Sequence, residues 1–136
     1  MRNKYFKLSE FACNCGCGTN KINRTFIKIL TAARKLSINE DGKAVKFIII
    51  SGYRCPNHIE SINYIKRSKD KSLSSEHTKG LAADILVKNS RERAVILSAL
   101  MESGITRFGI SPNKKGFSFI HADISEAKPQ GVIWTY

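Results

Sequence analysis

Residues 75–84 read Ser-Glu-His-Thr-Lys-Gly-Leu-Ala-Ala-Asp, and residues 81–87 continue them into a mostly apolar run. A short apolar run that follows a glycine predicts a buried strand. This strand would carry Asp84, and His77 lies just before it. An imidazole nitrogen and a carboxylate oxygen are good ligands for a divalent metal such as zinc. The stretch therefore predicts a strand and two ligands of a metal site.

A second predicted strand, over residues 117–124, carries His121 and Asp123. His121 would complete a three-ligand site across the sheet, and three protein ligands leave a fourth position for water, which is typical of catalytic zinc. Residues two apart on a strand share a face, so Asp123 would lie beside His121. Asp123 could orient His121 or a neighbouring group, or it could take a proton from the attacking water.

The other elements place these strands in an α+β domain. The pattern predicts helices over Arg24–Leu36 after Asn23, over residues 57–65 after a proline, and from the capping box of Asn89 and Glu92 to about Ser103. Further strands are predicted over residues 44–50, 105–110 and 131–136. Because βαβ alternation is lacking, we expect a small, mostly antiparallel sheet with flanking helices in one domain over residues 1–136.

The composition of the chain limits the classes of partner that it is expected to bind. The chain has 136 residues and a net charge of +12, which attracts polyanions such as nucleic acid or bacterial cell wall. The basic residues are dispersed and no nucleic-acid-binding motif accompanies them, so no specific nucleic acid partner is expected. No apolar run approaches the ~20 residues of a membrane span. The basic N-terminus lacks the apolar segment of a signal peptide, so we expect synthesis in the cytoplasm, and a monomer.

Four cysteines stand at positions 13, 15, 17 and 55. Alternate residues of an extended segment point the same way, so the first three could share a face. Cys55 could complete a second, structural metal site with them or pair with one of them as a disulfide, and free thiols are the third possibility. A separate polar, basic stretch over residues 66–75 predicts a flexible loop that leads into His77.

Four blocks of sequence resemble one known family. They are Leu-Ser-Glu-Phe-Ala-Cys-Asn-Cys-Gly-Cys-Gly at 8–18, Ile-Ser-Gly-Tyr-Arg-Cys-Pro-Asn-His at 50–58, the stretch 75–85, and Arg-Phe-Gly-Ile at 107–110 with Phe-Ile-His-Ala-Asp at 119–123. The chain resembles the zinc D-Ala-D-Ala metallopeptidases of the peptidase M15 type, especially short phage and bacterial members. The resemblance implies the small α+β fold that this family shares with the hedgehog signalling domain.

The resemblance also implies roles for individual residues. One catalytic Zn²⁺ would be held by His77, Asp84 and His121, and would activate the attacking water. Arg54 would bind the substrate and stabilise its carbonyl as it becomes an oxyanion. Ser75 matches the serine that contacts substrate in the family.

The chain departs from part of the family at the general base. Several members place an acid three residues before the last histidine ligand, where this chain has Ser118. Other members have a His-x-Asp arrangement, which makes Asp123 the leading base candidate.

The function expected from these observations is hydrolysis of peptidoglycan stem peptides at a bond involving D-alanine. Carboxypeptidase and endopeptidase action both stay open, and a phage or prophage lysis enzyme (an endolysin) that reaches the cell wall after release would fit. Two alternatives are a catalytically silent, zinc-containing module that binds cell wall or protein, and a nucleic-acid-binding protein whose cysteines hold a structural zinc.

Overall fold

The computed structural model describes residues 3–69, 74–114 and 117–136. This part of the chain contains three α-helices and five strands, with two short 3₁₀ helices at Leu8–Phe11 and Glu76–Lys79. The α-helices are α1 Arg24–Leu36, α2 Ile59–Arg67 and α3 Ser90–Glu102. The strands are β1 Ile49–Ser51, β2 Ala82–Val87, β3 Arg107–Lys114, β4 Phe117–Asp123 and β5 Val132–Thr135.

The five strands form one sheet in the order β1-β2-β4-β3-β5. The pairs β1–β2, β2–β4 and β3–β4 are antiparallel, and β5 runs parallel to β3. The fold is therefore α+β with a mostly antiparallel sheet, which confirms the prediction from the sequence.

The two faces of β2 and β4 have different surroundings because side chains alternate along a strand. Ala83, Ile85, Ile120 and Ala122 belong to the main hydrophobic core. Helices α1 and α3 pack against each other and contribute to this core, where Leu30 of α1 is fully buried. Burial of such a leucine stabilises the fold by about 1.5–3 kcal/mol. The opposite face of β2 and β4 carries the polar residues of the candidate site.

Helix α1 has the predicted bounds because its signals are local. The Asn23 side chain accepts a hydrogen bond from the Phe26 backbone N–H at 3.0 Å, which caps the first turn. Asn89 caps α3 in the same way, accepting from the Glu92 N–H at 2.8 Å. The Glu92 side chain accepts from the Lys88 N–H rather than from Asn89, so the predicted capping box is only half formed.

Three predicted elements have shifted bounds. The strand predicted over residues 105–110 is β3, which begins at Arg107 and extends to Lys114. The strand predicted over residues 44–50 is paired in β1 only from Ile49 to Ser51, and Ala44 forms an isolated bridge with Ile38. Helix α2 begins at Ile59 because His58, rather than the proline before it, provides the cap. It extends to Arg67, into the predicted loop over residues 66–75, of which residues 70–73 lie outside the described part of the chain.

Gly80 ends the 3₁₀ helix that carries His77, and an alanine there is expected to destabilise the fold by about 3 kcal/mol. Its φ is +72°, and an added Cβ would lie 2.0 Å from the Lys21 carbonyl oxygen. Gly42 is a matched control, because its φ is +74° with nothing within 4 Å of an added Cβ. Gly42→Ala should cost about 1 kcal/mol from backbone strain alone. Urea unfolding measures both, and equal costs would contradict the steric argument.

No helix in the described part of the chain combines the length and hydropathy needed to cross a membrane.

Candidate metal centre

The three predicted ligands come from three neighbouring elements. His77 lies on the 3₁₀ helix Glu76–Lys79, directly before β2, and Ser75 caps this helix by accepting from the His77 N–H at 3.3 Å. Asp84 on β2 lies directly opposite His121 in the antiparallel pairing with β4. All three ligand side chains are buried. The register of β2 and β4 therefore brings an acid and an imidazole together, and the short helix adds the second imidazole.

Three donor atoms form a nearly equilateral triangle. His121 Nδ1 lies 3.2 Å from His77 Nε2 and 3.1 Å from Asp84 Oδ1, and His77 Nε2 lies 3.3 Å from the same oxygen. Ligands about 2.0–2.1 Å from a tetrahedral zinc ion would lie roughly 3.3 Å apart. The spacing of the donors thus fits one small divalent cation.

Hydrogen bonds on the far side of each ring fix the direction of the two imidazoles. His77 Nδ1 donates to the Gly52 carbonyl at 2.7 Å, and His121 Nε2 donates to Asp123 Oδ2 at 2.8 Å. The remaining nitrogens therefore face the shared point together with a carboxylate oxygen. Such partners behind metal-binding histidines set the tautomer and the ring orientation. The three donor atoms are therefore already oriented to bind a cation at the point between them.

The ionised state of Asp84 agrees with this arrangement, whereas His121 would lose a proton on binding a metal. Burial would raise the pKa of Asp84, but the charge on His77 and hydrogen bonds from both histidines hold it well below its usual range. Burial lowers the pKa of His77. Burial also acts against the charged form of His121, but Asp123 and Asp84 raise its pKa overall. An ionised carboxylate beside two imidazoles is the protonation state that metal binding requires of Asp84.

Arg54 contacts the second oxygen of the same carboxylate. Its Nη2 lies 3.1 Å from Asp84 Oδ2, and its Nε donates to Ser51 Oγ at 2.9 Å. The side chain is 17% exposed and lies on the wall of the cleft described below. Asp84 and Ser51 therefore hold the Arg54 guanidinium beside the candidate metal centre.

Asp123 lies behind His121 and has its own set of partners. Its Oδ2 accepts from His121 Nε2, and its Oδ1 accepts from Arg107 Nε at 2.7 Å and from the Ser125 N–H at 3.1 Å. Only 1% of the residue is exposed. Burial would raise its pKa, but the His121 hydrogen bond and charge lower it. These contacts correspond to the orienting role, one of the two roles considered for this residue.

An open cleft of about 790 Å³ lies over the ligands. Its lining includes the three ligands with Arg54, Ser75 and Asp123, and basic side chains from Arg67 and Lys128. All six site residues predicted from the sequence therefore line one cleft. Ser118 lies on the opposite face of β4 from His121 and is not among the residues that line the cleft.

Sequence reasoning did not identify several residues that shape this cleft. Trp134 and Tyr136 from the C-terminal segment line it, and the Trp134 ring lies 5.3 Å from that of His121. Gly109 makes this possible, because a Cβ there would lie 2.5 Å from Trp134 Nε1. Arg107 stacks over the indole at 5.1 Å. The sequence did predict a strand over residues 131–136. The local pattern could not identify the strand with which it pairs, and so it could not place Trp134 and Tyr136 in the cleft.

The comparisons with known proteins agree with the geometry. The chain belongs to the peptidase M15 family, whose model matches residues 4–123. No curated protein and no solved structure gave a match. The chain is thus an M15 family member with a buried His-Asp-His group that could hold a metal, and the predicted resemblance is confirmed.

Proposed function

We propose that this protein is a zinc-dependent peptidase that hydrolyses peptidoglycan stem peptides at a bond involving D-alanine. The observation that carries the proposal is the convergence of His77, Asp84 and His121 at the floor of a cleft large enough for a peptide. Membership of the M15 family supports peptide hydrolysis. Two imidazoles and one carboxylate are a ligand set of catalytic zinc, with a fourth position for water.

A bound zinc ion would supply Lewis acidity and a water that is nucleophilic at neutral pH. His77, Asp84 and His121 would hold it in one orientation. Arg54 would donate hydrogen bonds to the substrate carbonyl oxygen as negative charge develops there. Ser75, at the cap of the short helix, would contact the peptide from the cleft wall.

The charge of the chain supports a cell-wall substrate. A net charge of +12 would concentrate the protein on anionic wall polymers. A phage or prophage lysis role, with access to the wall after release from the cell, fits this charge and extends the proposal.

Mass spectrometry of purified peptidoglycan after incubation with zinc-loaded protein tests the proposal. New stem-peptide fragments would be expected, and their masses would identify the bond and distinguish carboxypeptidase from endopeptidase action. Unchanged peptidoglycan, from protein that demonstrably holds zinc, would overturn the proposal and favour the wall-binding module without catalysis.

Asp123 is proposed to position His121, and Asp123→Asn tests this role. The amide N–H₂ of the asparagine would face one of the N–H groups that now donate to the carboxylate. Because His121 would then be less well oriented, zinc affinity should fall about 10–100-fold. Competition with a chelator measures the affinity, and excess zinc should restore most of the activity. Asp41→Asn, the same change at an exposed acid, should alter neither.

If Asp123 were instead the general base, the outcome would differ. Zinc affinity would stay at the wild-type level, while kcat at saturating zinc would fall by about 10²–10⁴-fold. Measuring affinity and kcat on the same preparation therefore separates the two roles.

A further inference from the structure

The four cysteines converge at a second place, away from the His-Asp-His group. The Sγ atoms of Cys13, Cys15, Cys17 and Cys55 all lie within 4.8 Å of one another. Cys15 Sγ lies 3.4 Å from both Cys13 Sγ and Cys55 Sγ. Bonded sulfurs would be about 2.05 Å apart, and all four thiols are free. Sulfurs around a tetrahedral zinc ion, each about 2.3 Å from it, would lie roughly 3.8 Å apart.

The backbone of residues 13–19 is bent so that the cysteines at positions 13, 15 and 17 come together. Gly16 and Gly18 have φ values of +92° and +73°, a conformation that favours glycine, and these residues alternate with the cysteines. The Cys13 N–H donates to the Thr19 carbonyl at 3.0 Å and closes the loop. A fully extended segment, which the sequence alone suggested, would instead keep the thiols in a row.

The fourth thiol enters from a distant part of the chain. Cys55 follows β1, and its backbone N–H donates to Cys13 Sγ at 3.2 Å. A backbone N–H directed at a sulfur stabilises the thiolate form, because a charged acceptor makes the stronger hydrogen bond. Cys13 and Cys55 are buried, while Cys15 and Cys17 are exposed, so an ion could enter from the solvent side.

We propose that these four cysteines form a structural tetrathiolate site for one zinc ion. Four protein ligands close the coordination shell, which distinguishes a structural site from a catalytic one. Thiolates bind the ion after losing their protons, so binding releases protons to solvent. The site goes beyond the proposed peptidase function and does not depend on it.

The contacts around Cys55 indicate what the ion would hold in place. The Tyr53 N–H donates to the Phe11 carbonyl at 2.8 Å, and the Arg54 N–H donates to the His77 carbonyl at 3.0 Å. Gly52 orients His77 through its own carbonyl. Residues 52–55 therefore connect the N-terminal loop to the wall of the cleft. An ion on Cys13 and Cys55 would fix the segment that presents Arg54.

Cobalt substitution and metal counting test the site. The wild-type chain should hold about two metal ions, and Co²⁺ should give thiolate-to-cobalt charge-transfer bands in the near ultraviolet. His121→Ala should lower the count to about one ion and keep these bands. The double variant Cys15→Ser with Cys17→Ser, at two exposed positions, should lose the bands and keep the ion at the histidines. Asn14→Ser, in the same loop without loss of a thiol, should leave both count and spectrum unchanged.

The wild-type measurements keep the inference falsifiable even if a variant fails to fold. Absence of the charge-transfer bands from folded, reduced wild-type protein in excess Co²⁺ would overturn it. So would an intact mass lower by the two hydrogens of a disulfide in protein purified without oxidant. Neither result depends on peptidase activity, so failure of this site and failure of the proposed function are distinguishable.

Discussion

His121→Ala is expected to lower peptidase activity by at least about 10³-fold, because the several kcal/mol that a bound metal contributes to the transition state would be lost. His121 supplies one vertex of the donor triangle, and its loss leaves only His77 and Asp84 for the ion. The same variant should lose the metal ion of the catalytic centre on dialysis. Activity assays on peptidoglycan and metal analysis of the dialysed protein measure the two effects.

His58→Ala is the matched control for this variant. His58 caps α2 by accepting from the Glu60 N–H at 3.0 Å and is not part of the donor triangle. Its loss also removes the contact of His58 Nε2 with Asn14 Oδ1 in the cysteine loop. It should cost about 1 kcal/mol of stability, with the ion at the histidines and the activity retained. Equal activity of His121→Ala and the wild-type protein would place the catalytic metal elsewhere.

Arg54→Gln is expected to lower kcat by about 10²–10³-fold while the metal ion is retained. The side chain is aimed into the cleft by Asp84 and Ser51, and its remaining donors are available to a developing oxyanion. Arg54→Lys should restore only part of the rate, because an ammonium keeps the charge but loses the planar fork. Steady-state kinetics together with metal analysis separates the rate effect from loss of the ion.

Arg91→Gln removes the same charge at an exposed position, where the arginine pairs with Glu40. It should leave kcat unchanged. A loss of metal in Arg54→Gln would mean that the residue acts by supporting Asp84, and a normal kcat would contradict any part for it in transition-state stabilisation.

The parts of this structure that sequence could predict are those specified by neighbouring residues. The bounds of α1 follow from a capping asparagine and an apolar stripe at helical spacing. The convergence of three candidate ligands was predicted because His77 and Asp84 have the residue types and spacing of a metal site, and the predicted strand over residues 117–124 supplied His121. Chemistry that depends on residue type leaves a signal in the sequence even when the partners are distant.

The parts that it could not predict depend on distant backbone or on pairing partners. The apolar run over residues 44–50 indicates burial, and Val45 and Phe47 are indeed buried, but burial alone does not determine where strand pairing begins. The orienting carbonyl of Gly52 has no side-chain signal, since every residue has a carbonyl. The parallel pairing of β5 with β3 could not be predicted from the sequence either, because an alternating pattern does not specify the neighbouring strand.

The contact between Trp134 and His121 gives the molecule a built-in optical reporter. The chain has a single tryptophan, and its indole lies 5.3 Å from the His121 ring and beneath the guanidinium of Arg107. Its indole emission therefore comes from the wall of the candidate cleft, without background from another indole. A paramagnetic ion at the histidines would quench that emission at short range. Occupancy of the centre can then be followed in real time on the unlabelled protein.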